Sequence, residues 1–445
     1  MLGFSGSREW VYVQWIRGKY QRRRHFTFAV LHLILFLTPW LIISGHPVLR
    51  FDLEARRLFA FGAVFTAADT ILLLLLLLFL AFSLFFFTSL YGRLWCGFGC
   101  PQTVMLDTWV RPIERWIEGE RTTRQRRDAG PWTLDKAWRK ALKWSVYLLA
   151  AIVVAMSFMS FFAGARELWT GRGGTVEYAL VGIIAAGWFA DFVWFREQFC
   201  NYLCPYARFQ SALVDPHTLL IAYDPKRGEP RGGKTAKTEG RCLACEKCAA
   251  VCPQGIDIRN GFQLECIACA RCVDACTGVM QKVGHESLIS YTTNAEQHGR
   301  QPRRIQPRTV AYAAMLTGIA AVAVLMLATR TPFEVSVARI PGSLYSVDPD
   351  GYVRNTYMLR IANNDAIADA ARFNVAVEGL ESAEVVVPEI ALASMESRMI
   401  PLVVRVPVTS AIDRTYPMRV RVTTAIGERV VETTFKSGAR NGGGS

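Results

Sequence analysis

A helical transmembrane bundle, a cysteine-rich segment beside it and an all-β C-terminal domain form the multi-domain fold that the sequence predicts, on three observations. Apolar residues gather in spans of about 20, the length that crosses a bilayer. Eight of the twelve cysteines crowd between Cys242 and Cys276. Beyond Thr331, apolar and polar side chains alternate at period two, as in half-buried strands.

The 445 residues exceed one ordinary domain. Hydrophobic residues make up 51%, charged ones 20%, and the mean hydropathy is +0.20, so the apolar content is segmented. The net charge of +14 sits on loops flanking apolar spans, the pattern of loops kept on the cytoplasmic side of a membrane. No aromatic RNA-binding motif accompanies it. The expected partner of the basic surface is therefore membrane lipid and not nucleic acid.

Five spans are expected: Phe26–Gly45, Thr70–Leu90, Trp144–Ala163, Val176–Phe195 and Thr309–Ala328. The second, with leucines unbroken from Leu72 to Leu78, is the clearest, and the fourth carries Asp191 near its end. The first follows Arg22, Arg23, Arg24 and His25, yet is too long for a signal core and lacks a small-x-small cleavage site, so it reads as a retained anchor. Basic residues from Arg93 to Lys143 outnumber those of the loops at His46–Ala68 and after Ala163. This places residues 1–25, the loop 91–143 and the segment 196–308 in the cytoplasm. Residues 26–195 then form a four-span bundle, 309–328 a fifth helix, and 329–445 an outer, periplasmic domain. In that domain FEVSVARI, YMLRIAN, RFNVAVEGL, MIPLVVRVP, MRVRVTTAI and ERVVETTF predict strands, separated by turns such as Asp348–Pro349–Asp350–Gly351 and Asn363–Asn364–Asp365. Six or seven short strands suggest an immunoglobulin-like sandwich. The run Gly442–Ser445 reads as a flexible tail.

The cysteines carry the chemistry. Cys242, Cys245, Cys248 and Cys252 follow the spacing C-x2-C-x2-C-x3-C-P, and Cys266, Cys269, Cys272 and Cys276 repeat it 24 residues later (266 − 242). In two-cluster bacterial ferredoxins the fourth cysteine of each run binds the other run's cluster. Two 4Fe–4S clusters follow, one on Cys242, Cys245, Cys248 and Cys276, the other on Cys266, Cys269, Cys272 and Cys252. Zinc, which prefers one tetrahedral set made of two separated pairs, does not match two consecutive runs of four. Thr277 stands where a proline usually shapes the turn after the last cysteine.

Cys96–Cys100 and Cys200–Cys204 are Cys-x3-Cys-Pro pairs just beyond the second and fourth spans. A proline suits the first turn of a helix, so Cys100 and Cys204 are expected to cap helices whose dipoles favour thiolate. Gly97 and Gly99 argue against a regular helix through the first pair. On a helix, residues four apart have stems about 5–6 Å apart, wider than a disulfide's Cβ separation of about 3.5–4.5 Å. A soft ion such as copper(I) bridges that gap more readily; a redox dithiol and a purely structural role stay open. His32 is weighed as a haem ligand, without a second histidine at matching depth, and Asp191 as a member of a proton path.

YGRLWCGFGCPQTV, REQFCNYLCPYARFQSAL, YDPKRGEPRG and the double cysteine run strongly resemble the FixG/RdxA/CcoG family of cytochrome c oxidase accessory proteins, over nearly the whole chain and in the same order. The resemblance implies a multi-pass protein of the bacterial inner membrane with two 4Fe–4S clusters. It implies a role in assembling cbb3-type oxidases by reducing copper(II) to copper(I), with Cys96, Cys100, Cys200 and Cys204 as the catalytic copper site. Oxidase subunits or copper-delivery proteins would then be partners, alongside an unidentified cytoplasmic electron donor; a homodimer is left open. Two rival functions remain at this level. One is a transmembrane electron conduit like the quinol dehydrogenases, although no Cys-x-x-Cys-His haem motif occurs. The other is a non-enzymatic assembly scaffold.

Overall fold

A computed structural model describes residues 10–43, 46–53, 56–66, 69–232, 240–303, 305–329, 333–340, 344–363, 370–393, 396–409, 415–425 and 427–437. The expected turn at Asn364–Asp365 and the tail Gly442–Ser445 lie outside these residues. The chain divides into two compact units, Met1–Trp40 with Leu75–Ala321, and Leu41–Leu74 with Val322–Ser445.

In the first unit, α1 (Lys19–Leu37) is followed by most of α2 (Thr70–Tyr91), whose leucines face outward along its length. Short helices α3 (Leu94–Phe98) and α4 (Pro101–Met105), a π-helical turn at Leu106–Val110, α5 (Arg111–Glu118) and α6 (Arg121–Ala129) lead to the long α7 (Leu134–Ala163). After α8 (Ala165–Trp169) the chain returns through α9 (Thr175–Ala190), a π-helical turn at Asp191–Phe195 and α10 (Pro205–Leu213). Small residues Ala150, Ala151 and Ala155 on α7 are buried, letting α9 approach closely, as membrane helices that lack a hydrophobic drive to associate require. Tyr147, Val154 and Phe192 fill the space between them.

Four helices are long and apolar enough to cross a membrane among the described residues: Thr70–Tyr91, Leu134–Ala163, Thr175–Phe195 and Pro307–Ala328, the last being α15. The bounds of the expected first span change. Its helix starts earlier, at Lys19, and ends at Leu37, giving way to a 3-10 turn at Thr38–Trp40 and strand β1 (Ile42–Ile43). Pro39 lies in that turn, and its missing N–H cannot extend the helix ladder. The basic first half of α1 is held by protein: Arg24 is fully buried, while Trp40 at the other end packs on Trp169, ring centroids 6.4 Å apart.

The cysteine-rich segment is bracketed by β6 (Leu219–Tyr223) and β7 (Ile289–Thr293), antiparallel with Ile221 opposite Tyr291. Between them lie α11 (Pro225–Gly228), α12 (Lys247–Ala250) and α13 (Arg271–Met280); α14 (Asn294–Gln297) follows. Ile221, Ile258, Val273, Met280 and Leu288 make the small core beneath the cysteines.

The second unit holds β1, β2 (His46–Pro47), a meander of β3 (Leu49–Asp52), β4 (Arg57–Ala60) and β5 (Ala63–Phe65), and a sandwich. The loop that the sequence assigned to the bundle thus belongs with the C-terminal domain, joined through the Thr66 hydroxyl, which donates to the Glu334 carboxylate. One sheet runs β12 (Glu384–Val386), β14 (Ser397–Pro407), β10 (Tyr352–Asn363), β8 (Phe333–Arg339), with β9 (Ser346–Val347) also on β10. The other runs β13 (Ile390–Ala393), β11 (Ala370–Glu378), β15 (Thr415–Thr424), β16 (Gly427–Lys436). Period-two patterning does the work: Tyr357, Leu359 and Ile361 point inward against Leu402, Val404, Val420 and Phe435, all fully buried. Tyr357 reaches the opposite sheet, its hydroxyl donating to the Thr434 carbonyl at 2.7 Å.

Candidate functional site

The two cysteine runs adopt the same local backbone. Ala244 and Glu246 have φ of 48° and 54°, and 24 positions later (268 − 244) Ala268 and Ala270 have φ of 51° and 59°. Left-handed residues on either side of the middle cysteine turn neighbouring N–H groups and sulfurs toward one side. Such backbone nests favour negative charge and recur at iron–sulfur sites. The cost of placing non-glycine residues there marks a demand of the site.

Each run closes one cavity. The first is lined by Cys242, Cys245, Cys248 and Cys276, with Leu288 and Ile289 behind. The second brings Cys252 to Cys266, Cys269 and Cys272, with Ile256 and Ile258 as its floor, and Cys248 at the rim between the two. Four thiols around an apolar hollow suit a 4Fe–4S cubane. Among the described residues no three His, Cys, Asp or Glu side chains stand at single-ion spacing, and a cubane holds its thiolates farther apart than one ion does. Cys245 is exposed whereas Cys269 is buried, so the first cavity faces solvent and the second faces the bundle. Thr277 sits inside α13, its hydroxyl bonded to the Val273 carbonyl at 2.8 Å. The helix continues past Cys276, so no turn-shaping proline is needed there. The Arg227–Gly232 run, mute in sequence, supports Cys242: the Gly228 carbonyl accepts from Cys242 N at 3.2 Å.

The two membrane-edge pairs also repeat. Gly92 (φ 57°) and Arg196 (φ 51°) break the chain four residues before Cys96 and Cys200, both pairs 104 positions apart (196 − 92, 200 − 96). Cys96 lies in α3, so one helical turn does pass through Gly97 before Gly99 ends it. Cys200 lies in a π-helical turn at Phe199–Leu203. Cys100 and Cys204 are extended N-caps of α4 and α10, each followed by a proline in the first turn. The four sulfurs share one electrostatic neighbourhood, since Cys100, Cys96 and Cys204 all act on Cys200.

At Cys100 the expectation of a ready thiolate at a helix start is not met. Burial pushes the Cys96 thiol up to about 12, against the pull of Arg93. Burial also raises Cys100, although the amides of Thr103 and Gln102 at the helix start oppose it, and it raises Cys200. Loss of water outweighs one short helix dipole, and a metal ion that binds here must displace protons. Cys96 Sγ donates to Gln210 Oε1 at 3.3 Å, and Gln210 is fully buried. Gln102, two residues after Cys100, donates to both Asp191 oxygens at 2.8 and 2.9 Å and to the Arg196 carbonyl at 3.0 Å. It ties the first loop to the second.

The membrane-edge loops meet the cluster loops at Gly97. A Cβ there would fall 2.6 Å from the Ile267 carbonyl oxygen and 2.8 Å from Cys269 Cα. Around this contact lies an ion cluster that sequence reading missed. Buried Asp107 accepts from Arg24, Arg111 and Arg271, the last lying between Cys269 and Cys272. Arg24 Nε also donates to the Gly97 carbonyl at 2.9 Å. Asp274 on α13 accepts from Tyr20 N and Gln21 N at 3.2 and 2.8 Å, capping α1, and a Cβ on Gly18 would collide with it. These side chains come from segments over 70 residues apart, and only isolated charges in α1 and the π turn could have hinted at them. His32 has both ring nitrogens engaged, by the Phe28 carbonyl at 2.7 Å and by Trp109 Nε1 at 2.9 Å, which leaves neither for haem.

Known proteins share this arrangement. Residues 195–294 match a 4Fe-4S dicluster domain, residues 72–119 a 4Fe-4S binding domain, and residues 323–437 the IG-like fold at the C-terminus of FixG. The chain is 34% identical to Protein RdxA of Cereibacter sphaeroides, over 83% of this chain and 82% of that one. It is 32% identical to Nitrogen fixation protein FixG of Rhizobium meliloti, over 82% and 78%, and 34% identical to Protein RdxB of Cereibacter sphaeroides, over 83% of each. With its apolar helices, its double cysteine run and its immunoglobulin-like domain, the chain belongs to the FixG/RdxA family and is an iron–sulfur electron-transfer protein.

Proposed function

We propose that this protein passes electrons from a donor on the cytoplasmic side to copper(II) taken up between two thiols at a time among Cys96, Cys100, Cys200 and Cys204, yielding copper(I) for assembly of a cbb3-type oxidase. The observation that carries the reading is the packing of Gly97 on Ile267 and Cys269. It leaves no room for even a methyl group between the loop bearing Cys96 and the loop bearing two cluster ligands. Cys242, Cys245, Cys248 and Cys276 hold one cluster, and Cys252, Cys266, Cys269 and Cys272 the other. When bound, these clusters supply single electrons. The four membrane-edge thiols supply soft ligands that favour copper(I) over copper(II) and so draw the reduction forward. Gln210 orients Cys96, and Gln102 fixes the distance between the two loops through Asp191. The excess of basic residues in the loops supports a reading in which this end of the bundle faces the cytoplasm of a bacterium and the immunoglobulin-like domain faces the periplasm.

The test starts from purified protein with its clusters reduced and excess reductant removed. Copper(II) is added and copper(I) is followed with a selective chelator, in the parent and in serine variants of the four cysteines. Copper(I) from the parent and its loss from the variants support the reading; no copper(I) from the parent ends it.

A second reading rests on the 4Fe-4S model that matches residues 72–119, a stretch whose only cysteines are Cys96 and Cys100. A third cluster shared with Cys200 and Cys204 would complete four thiolates. Iron content half again that of two clusters, falling in Cys200→Ser, would favour it.

A further inference from the structure

A cavity of about 760 Å³ in the first unit lies away from every cysteine. Its floor is α5 and α6, with Glu114, Glu118, Arg124 and Asp128. One wall is the N-terminal strand-like segment with Trp10, Val11 and Tyr12. The opposite wall is formed by Trp144 and Tyr147 of α7 and by Val193 and Trp194 at the end of the fourth span. Trp144 and Trp194 are 45% and 57% exposed and belong to two of the apolar spans, so this wall borders lipid at the level where tryptophan gathers in membranes.

The cavity's charges are already answered. Arg124 and Arg196 pair with Glu114; Lys143 lies 2.8 Å from Glu118; Lys140 lies 3.1 Å from Glu118 and 2.7 Å from Asp128. Lys136 donates to the carbonyls of Asp128 and Gly130 at 3.0 and 2.9 Å. Five cations thus share three carboxylates, but each already has a protein partner, for Lys136 two backbone carbonyls, so a polyphosphate nucleotide would have to displace these pairs. A neutral, flat molecule would find aromatic walls, and Arg124 Nε is buried without a hydrogen-bond partner. Small-molecule sites are commonly clefts of about 300–1,000 Å³ lined by aromatic side chains with a few polar groups.

Val11 links the cavity to the loop after Cys252. Val11 lines the cavity and touches the backbone of Gly255, where a Cβ would lie 3.0 Å from Val11 Cγ2. Arg111, one turn before Glu114, donates to the Pro253 carbonyl at 3.0 Å, beside Cys252. Gln14 N bonds the Ala250 carbonyl at 2.9 Å, fastening the same segment to the cluster loop.

We infer that this cavity binds a lipid-soluble hydroquinone, which is the electron donor; the inference rests on the reading of the chain as an electron carrier. The hydroquinone's two O–H bonds break, giving the quinone, two protons and two electrons. The protons go to water at the cavity mouth. The electrons go one to each iron–sulfur cluster, and two copper(II) ions can then each be reduced by one.

The experiment uses the full-length holoprotein in nanodiscs, oxidised and anaerobic, without copper. Duroquinol is added and cluster bleaching in the visible is followed, with NADH as the competing donor. Ala129→Trp fills the cavity without removing any ion pair, and dithionite reports whether its clusters are intact. Duroquinol bleaching of the parent, slowed at least tenfold in Ala129→Trp while dithionite bleaching is unchanged, supports the site. No bleaching by duroquinol, bleaching by NADH alone, or equal duroquinol rates in parent and variant overturns it. Should Ala129→Trp lose its clusters, quenching of parent tryptophan fluorescence by duroquinone decides, and absence of saturable quenching overturns the proposal. Copper reduction by dithionite-reduced protein is measured separately, so either idea can fail alone.

Discussion

Gly97 rests directly on the backbone of Cys269: a Cβ at Gly97 would stand 2.8 Å from Cys269 Cα and 2.9 Å from its nitrogen. Real Cβ atoms do not approach backbone so closely, and backbone on both sides is pinned, by Arg24 on one and by the cysteine nest on the other. The contact joins the loop of one thiol pair to the loop of one cluster cavity.

Gly97→Ala must therefore separate these loops. Overpacking of this kind costs about 1–3 kcal/mol, and a shift near 1 Å in a reacting pair slows reactions by up to about 10²-fold. Iron content should stay near the parent's while reoxidation of reduced clusters by copper(II) slows at least tenfold in stopped-flow measurements. An unchanged rate would mean that electrons do not cross here.

Asp107→Asn removes the carboxylate from Arg24, Arg111 and Arg271. Uncompensated buried charge after breaking such a pair costs about 3–5 kcal/mol. Thermal loss of cluster absorbance should begin at distinctly lower temperature. Asp135→Asn, whose carboxylate is 58% exposed beside Arg139, should change little, since exposed pairs contribute about 0–1 kcal/mol.

Ala268→Val places a β-branched side chain where φ is 51°, a region such residues avoid. One cluster should fail to assemble, halving the iron, with the other left intact. Because the fourth cysteines cross over, Cys276→Ser should disturb the same spectroscopic signal as Cys242→Ser, and Cys252→Ser the same signal as Cys266→Ser. Pairing within each run instead would refute the crossed assignment.

Acid sensitivity has a defined origin at Glu114. Burial would raise its pKa, yet Arg196, Arg124 and Lys143 outweigh burial and hold it at about 2, below its usual 4.5. A depressed carboxylate contributes stability that is complete above the unfolded value and is lost as pH falls toward the folded one. Thermal stability should accordingly decline between about pH 4.5 and 2, and Glu114→Gln should flatten that decline while lowering stability at neutral pH. A variant as acid-labile as the parent would assign the loss elsewhere.

The cluster loops were legible because ligand spacing is local: three cysteines two residues apart need only a few backbone angles to face one hollow. The β-domain was legible because burial on one sheet face imposes period two on each strand. The ends of spans were less so. In α1 an arginine-rich turn looked like a solvated flank, but Arg24 is buried by Asp107, 83 residues away. Cys100 and Cys204 were placed correctly at helix starts, yet burial raises the Cys100 thiol against its helix, because exposure to water cannot be read from a motif.

By itself, then, the sequence determined the apolar spans, the two cysteine runs, the alternating strands and the family, each written in a window of at most a few dozen residues. Only the tertiary structure decided that the thiol pairs share one neighbourhood, that Gly97 abuts Cys269, that three arginines converge on Asp107, and that a cavity lined by Trp144 and Trp194 lies close to the loop after Cys252. Those relations depend on which distant surfaces pack together. Packing is settled by shape and buried charge summed over the whole unit, which no local pattern records.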